Sequence, residues 1–215
     1  PAGRKNFKQP LWTGEEPIAN KTVFLHWEQG LGDTIQFCRY ARMVQKAGAR
    51  VAMSVQDPLV ALLKRNFPTI PVIGAKQRLT EFDYHCPLLS LPLAFRTGLD
   101  SIPADTPYIF ADPALKPAWA ERLGAERLGA SGKPRIGLVC SGNPDHKNDR
   151  NRSVGLADLL PLLGFDAQWL LLQKEIREND RAVLEQTPQL RFFGPELRDF
   201  SDTAALIEQL DLLIS

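Results

Sequence analysis

A chain of 215 residues holds one large domain or two modest ones, and 44% apolar with 24% charged residues is ordinary for a globular protein. Twenty-six Lys and Arg against 25 Asp and Glu leave a net charge of +1, which excludes a global field drawing nucleic acid or a membrane surface. No apolar run reaches the roughly 20 residues that span a bilayer.

No signal peptide is visible, and the chain opens on Pro rather than Met, so a processed or excised segment is expected. Cys38, Cys86 and Cys140 are few, odd in number and set in apolar contexts, as for reduced thiols of a cytoplasmic protein. With His26, His85 and His146 as the only histidines, no Cys/His cluster has metal-ligand spacing.

Residues 1–20, around PLWTGEEP, read as an irregular lead-in whose Trp12 docks on the first domain. Lys21 to Gly48 then predicts the opening of a βαβ unit. Thr22 to Trp27 is a continuous apolar run, which suits a parallel strand covered on both faces. A glycine loop follows, then a helix with Phe37, Tyr40, Ala41, Val44 and Ala47 on one stripe. Arg50 to Val55 makes the second strand. Ligands of such folds bind at the carboxyl ends of the strands, where Glu28, Gln29, Gly30, Gly32 and Asp33 lie.

This loop is not a dinucleotide site. Ile35 occupies the third glycine position of G-x-G-x-x-G, and Asp33 would repel a pyrophosphate at the helix N-terminus. Two readings of Asp33 stay open: a carboxylate presented to a ligand, or an acid that simply complements the helix dipole.

Further along, Asp57-Pro58 has the N-cap and N1 chemistry of a helix running to about Asn66. Strands are expected at Ile70 to Ile73, Phe82 to Cys86 and Tyr108 to Phe110, with a helix over Leu89 to Arg96. Residues 111–133 turn Ala-, Gly- and charge-rich, which predicts a helix-containing linker. The alternation restarts with strands at Arg135 to Cys140, Gln168 to Leu172, Arg191 to Phe193 and from Leu212. Helices fall at Ser153 to Leu163, Glu175 to Gln186 and Asp202 to Leu210. The fold class is therefore α/β with two Rossmann-like halves. Residues 21–112 form the first, 113–133 a helical linker and 134–215 a second that stops on a strand.

Several long segments carry a resemblance. They are PLWTG (Pro10 to Gly14), EQGLGDTIQFCRYA (Glu28 to Ala41), FDYHCPLLSLP (Phe82 to Pro92), IPADTPYI (Ile102 to Ile109), SGNPDHKNDRNRS (Ser141 to Ser153) and the stretch from ELRDF to the end. Together they resemble the glycosyltransferase module found after tetratricopeptide repeats in bacterial proteins, related to the heptosyltransferases of glycosyltransferase family 9 with the GT-B fold. The resemblance implies inverting, metal-independent transfer of a sugar from a nucleotide-activated donor to an acceptor hydroxyl. It implies no cofactor beyond that nucleotide-sugar substrate, an unknown acceptor, upstream repeats in the parent protein, and a cytoplasmic location.

The acid of the family's G-D loop maps onto Asp33 as general base, and the first half becomes the acceptor side. Glu28, Gln29, Gly30, Gly32 and His85 are then acceptor or loop candidates, with His85 placed at the end of its strand and a satisfied structural histidine as its other reading. Gly142, Asn143, Lys147, Arg150 and Arg152 are the donor candidates, since charge-assisted contacts suit phosphate oxygens; the bland reading is a solvated loop with self-paired charges. His26 reads as a core residue, and Asp83 and Asp199 as turn or cap residues. The family's D-T-x-x-A-H-type stretch after the final strand is not in this sequence, so the second half is expected to be truncated and inactive alone. The alternative is a degenerate glycosyltransferase fold serving a repeat scaffold as a binding module. A NAD-dependent oxidoreductase is disfavoured by Ile35.

Overall fold

The computed structural model of the protein describes residues 7–124 and 132–215; the first six residues of the expected lead-in and residues 125–131 of the expected linker lie outside them. The chain divides into two compact units, Pro1–Phe110 and Ala111–Ser215.

In the first unit β1 (Thr22–His26), β2 (Arg50–Ser54), β3 (Val72–Ile73) and β4 (Tyr84–Pro87) form one sheet in the order β3-β2-β1-β4. All its pairings are parallel, with Thr22 opposite Arg50 and Phe24 opposite His85. β1 lies inside the sheet, and Val23, Phe24, Leu25 and His26 are all buried, which explains its continuous apolar run. The lead-in extends this order. Pro10 O accepts from the His85 N–H and the Trp12 N–H donates to His85 O, so Leu11 bridges to the outer side of β4. Trp12 is buried against Phe95 with ring centroids 5.4 Å apart. At Gly14, whose φ is +95°, an added Cβ would stand 1.9 Å from Ala94 O, so only glycine lets the lead-in lie this close.

The first connection is α1 (Leu31–Phe37), a 3₁₀ turn at Cys38–Tyr40 and α2 (Ala41–Lys46). The 3₁₀ turn breaks the expected single helix, and the buried side is Thr34, Cys38, Tyr40, Ala41 and Val44, leaving Phe37 half-buried and Ala47 exposed. Asp57 caps no helix of its own: its Oδ1 accepts from the Ala75 N–H, and α3 (Val60–Asn66) starts after a 3₁₀ turn. The helix expected from Leu89 reduces to α4 (Leu91–Ala94), again after a 3₁₀ turn. No strand forms at Tyr108 to Phe110. The Asn66 side chain takes both polar groups of Phe110, and Arg39 lies over the Tyr108 ring, so this backbone has partners other than a sheet.

The second unit repeats the pattern. β5 (Arg135–Leu138), β6 (Gln168–Leu171), β7 (Leu190–Phe192) and β8 (Leu212–Ile214) form a parallel sheet in the order β7-β6-β5-β8. Successive residues of β6 point to opposite faces. Leu170 packs with α5 (Lys116–Leu123) and α8 (Phe200–Ile207), while Trp169 and Leu171 pack with α6 (Leu156–Leu159) and α7 (Glu178–Glu185). Each unit is thus a Rossmann-like half. The helix in the region expected as a linker is α5, whose Trp119 and Leu123 are buried in the second unit's core.

Asp202, 1% exposed, ties α8 to that core. It accepts from Trp119 Nε1 at 3.2 Å and from Arg198 Nε and Nη2 at 2.8 and 3.0 Å. Burial pushes its carboxyl up, but the hydrogen bonds from Arg198 and Trp119 outweigh that and hold it below its ordinary value. Asp199 is the N-cap, accepting from the Ser201 N–H at 2.7 Å. Asp202→Ala orphans the buried indole N–H and should cost about 1–3 kcal/mol in urea unfolding at neutral pH. Because the folded pKa is depressed, the loss should be full above the ordinary Asp value of about 4 and fade as pH falls through the folded value.

Candidate functional site

In each unit one loop gathers the polar side chains: the loop leaving the first strand. In the first unit it runs from Trp27 to Gly30 and is pinned by the neighbouring strand. The Trp27 N–H donates to Ser54 O at 3.1 Å. Gln56, two residues beyond β2, donates to Gln29 O at 2.9 Å and accepts from Thr34 Oγ1 at 2.8 Å. Gly30 is the extended N-cap of α1, and Asp33 folds back so that its Oδ2 accepts the Gly30 N–H at 2.8 Å. A Cβ on Gly30 would stand 3.1 Å from that oxygen, whereas one on Gly32 would meet nothing within 4 Å.

Both readings of Asp33 therefore have a structural counterpart. One carboxylate oxygen satisfies the start of its own helix. The other, Oδ1, has no partner among the described residues.

Glu28 follows β1, whose neighbours in the sheet are β2 and β4. This is where the strand order reverses, the usual place for a ligand. Burial pushes its carboxyl above the ordinary 4.5, and a hydrogen bond from the Leu89 backbone opposes the rise. Burial, and then the charge of Glu28, push the nearby Cys86 thiol up to about 12.

His85 belongs elsewhere. It lies within β4 in register with Phe24, not at the loop end, and its ring packs on Phe7 with centroids 4.7 Å apart. Its Nδ1 is 3.2 Å from His26 Nε2, so one ring donates and the other accepts. Burial holds His85 below the ordinary 6.5. His26, 5% exposed, is part of the same aromatic cluster with Phe24.

In the second unit the loop from Cys140 to Val154 is closed by a hydrogen bond from the Val154 N–H to Cys140 O at 2.8 Å. Gln173, two residues beyond β6, braces it: Oε1 accepts from the Cys140 and Ser141 N–H groups, and Nε2 donates to Ser141 O and Oγ. Asn143 is a turn former, its Oδ1 accepting from the Asp145 N–H. Gly142 lies under the Arg152 guanidinium, which a Cβ would approach to 2.4 Å. Asp149, 9% exposed, sits 3.8 Å from Arg152 and 2.6 Å from Arg177. The Ser153 hydroxyl, then Arg177 and Arg152, hold its carboxyl below the ordinary value against the effect of burial.

Of the expected donor cations, Arg152 is thus partly paired, while Lys147 and Arg150 are exposed and form no ion pair among the described residues. Gln56, Gln173, Asp149 and Arg177 were not among the residues singled out by sequence. The signal for the glutamines was a Gln following each second strand, in SVQD and LLQK.

Two α/β units, each with a parallel sheet and a polar loop at the carboxyl end of its first strand, make a fold shared with solved glycosyltransferase structures. One similar structure is the bacterial iron-containing dodecameric glycosyltransferase TibC from enterotoxigenic E. coli H10407, at TM-score 0.57 and 12% identity over 92% of this chain and 54% of that one. Another is dodecameric iron-containing heptosyltransferase TibC in complex with ADP-D-beta-D-heptose, at TM-score 0.62 and 11% identity with the same coverage. This chain spans about half the length of those chains, and at such identities the likeness is one of fold. No protein-family model and no curated protein matches the sequence. Among the described residues, no helix is long and apolar enough to cross a membrane, and no group of three His, Cys, Asp or Glu residues is disposed to hold a metal ion.

The half-buried Glu28 yields a pH prediction. Its raised folded pKa means that its contribution to stability is intact below the ordinary Glu value and is lost as pH rises through the folded value. Glu28→Gln should therefore raise the melting temperature at pH 7, with the gain shrinking towards pH 4. Equal gains at both pH values would show that the carboxylate is as well solvated folded as unfolded.

Proposed function

We propose that this protein serves sugar transfer from a nucleotide-activated donor to an acceptor hydroxyl, with inversion at the anomeric carbon. The first unit handles the acceptor and the second the donor. The observation that carries this reading is Asp33: a carboxylate at the carboxyl end of the first strand with one oxygen uncommitted, on a fold shared with a heptosyltransferase. TibC in complex with ADP-D-beta-D-heptose supports a nucleoside-diphosphate sugar as the donor class.

The proposed chemistry uses this chain's own side chains. Asp33 Oδ1 accepts the proton of the acceptor hydroxyl while that oxygen forms its bond to the anomeric carbon. The bond from that carbon to the diphosphate breaks, and the leaving diphosphate carries away the electron pair. Lys147, Arg150 and Arg152 meet its negative charge, so no metal ion enters the proposed step. Glu28 and Gln29 stand beside the acceptor. Upstream tetratricopeptide repeats and a cytoplasmic setting in a bacterial cell belong to the same proposal.

One observation favours a second reading, a degenerate transferase fold acting as a binding module. Asp33 Oδ2 already has a structural task in holding the start of α1.

Calorimetric titration of the complete protein with ADP, UDP and GDP separates the two. A transferase should bind one of them, and Lys147→Ala or Arg150→Ala should weaken that binding roughly tenfold, as for loss of one charge-assisted contact. In the complete protein, Asp33→Asn should lower turnover by roughly 10² or more while donor affinity holds, because the role assigned is proton transfer. Full turnover in that variant would remove the assignment, and absence of binding to every nucleotide would favour the binding module.

A further inference from the structure

Beyond the cations that sequence singles out, the second unit holds a guanidinium from another element. Arg177 precedes α7, on the connection after β6, yet its Nη2 reaches back to the loop after β5. There it donates to Gly142 O at 3.2 Å, Ser153 Oγ at 3.1 Å and Asp149 Oδ2 at 2.6 Å. Ser153 completes the cluster. Its hydroxyl donates to Asp149 Oδ1 at 2.8 Å and accepts the Gly142 N–H at 3.2 Å. One carboxylate thus faces two guanidiniums, those of Arg152 and Arg177, which leaves an excess of positive charge. Arg177 Nη1 has no partner among the described residues. The cluster lies beyond the carboxyl ends of β5 and β6, where parallel sheets take their ligands.

We propose that Asp149 and Arg177 form a positioning clamp that holds the Cys140–Val154 loop in the shape that receives the diphosphate of the nucleotide donor. This rests on the donor role given above to the second unit. Asp149 contacts no ligand in this account. It acts through the guanidiniums it orients, much as a buried carboxylate fixes the geometry of a cation that would otherwise sample many rotamers. The surrounding chain is built to match. Gly142 lets Arg152 lie on the backbone, and Asp149 is itself buried within the loop.

The test turns on a sign. Were Asp149 only a negative charge near an anion site, Asp149→Asn would tighten binding of ADP and of inorganic pyrophosphate. A clamp predicts the opposite. Asp149→Asn should weaken both ligands tenfold or more by calorimetry, and Arg177→Met, which keeps much of the length and loses the three Nη2 contacts, should do likewise. Amide hydrogen exchange at Gly142 and across to Ser153 should quicken in both variants while exchange in β5 and β6 stays slow, which also reports that the unit is folded. Should Asp149→Asn disrupt the unit, Ser153→Ala removes one arm of the cluster and is expected to weaken ADP several-fold with faster exchange at Gly142. Unchanged or tighter binding in folded Asp149→Asn overturns the clamp while leaving the donor reading in place. If the complete wild-type protein binds neither ADP nor pyrophosphate, the donor reading fails, and the clamp's role in it fails with it.

Discussion

A parallel sheet leaves backbone amides and carbonyls at the ends of its strands with no ladder partner, and something must satisfy them where the chain turns away. Both units meet this demand with the same device. A glutamine two residues past the end of the second strand reaches sideways to the loop leaving the first, Gln56 in one unit and Gln173 in the other. A primary amide suits the task because it carries donors and an acceptor on one planar group. Everything proposed for this protein hangs on these two loops, so their shape depends on amides that meet no ligand in the proposed chemistry.

The units solve the covering of their sheets differently. In the second, α5 and α8 lie over one face and α6 and α7 over the other, and a buried Asp202–Trp119 hydrogen bond, braced by the exposed Arg198, locks α8 to α5. In the first, one face carries Phe24, His26 and His85, and Phe7 and Phe82 cover these rings from the lead-in and from the loop before β4. The lead-in is therefore part of the first unit's architecture, adding a bridge to the sheet and an aromatic ring to its surface.

Sequence made the architecture legible because strands buried on both faces carry continuous apolar stretches, as Val23 to Leu25 and Trp169 to Leu172 do. The place of Asp33 in the first turn of the helix after the glycine loop was legible as well, though not its hydrogen bond back to Gly30. Features settled by distant contacts were not. Tyr108 to Phe110 has strand-forming residues, yet Asn66, 44 residues away from Phe110, takes its backbone groups. His85 was a site candidate because it was expected at the end of its strand, and only its register with Phe24 shows it facing aromatic rings. Arg177 lies 35 residues from Gly142, and no short motif could join them.

The three cysteines give the protein built-in clocks. Cys38, Cys86 and Cys140 are all buried, and burial pushes each thiol up, so the closed structure keeps them from an alkylating reagent. Reaction must wait for an opening of the surrounding structure, and its rate then measures how often that opening occurs. Two of these clocks run in the first unit and one in the second, where Cys140 sits at the root of the braced loop. The natural chain, without added probes, can thus report the breathing of each unit separately by mass spectrometry of the labelled peptides.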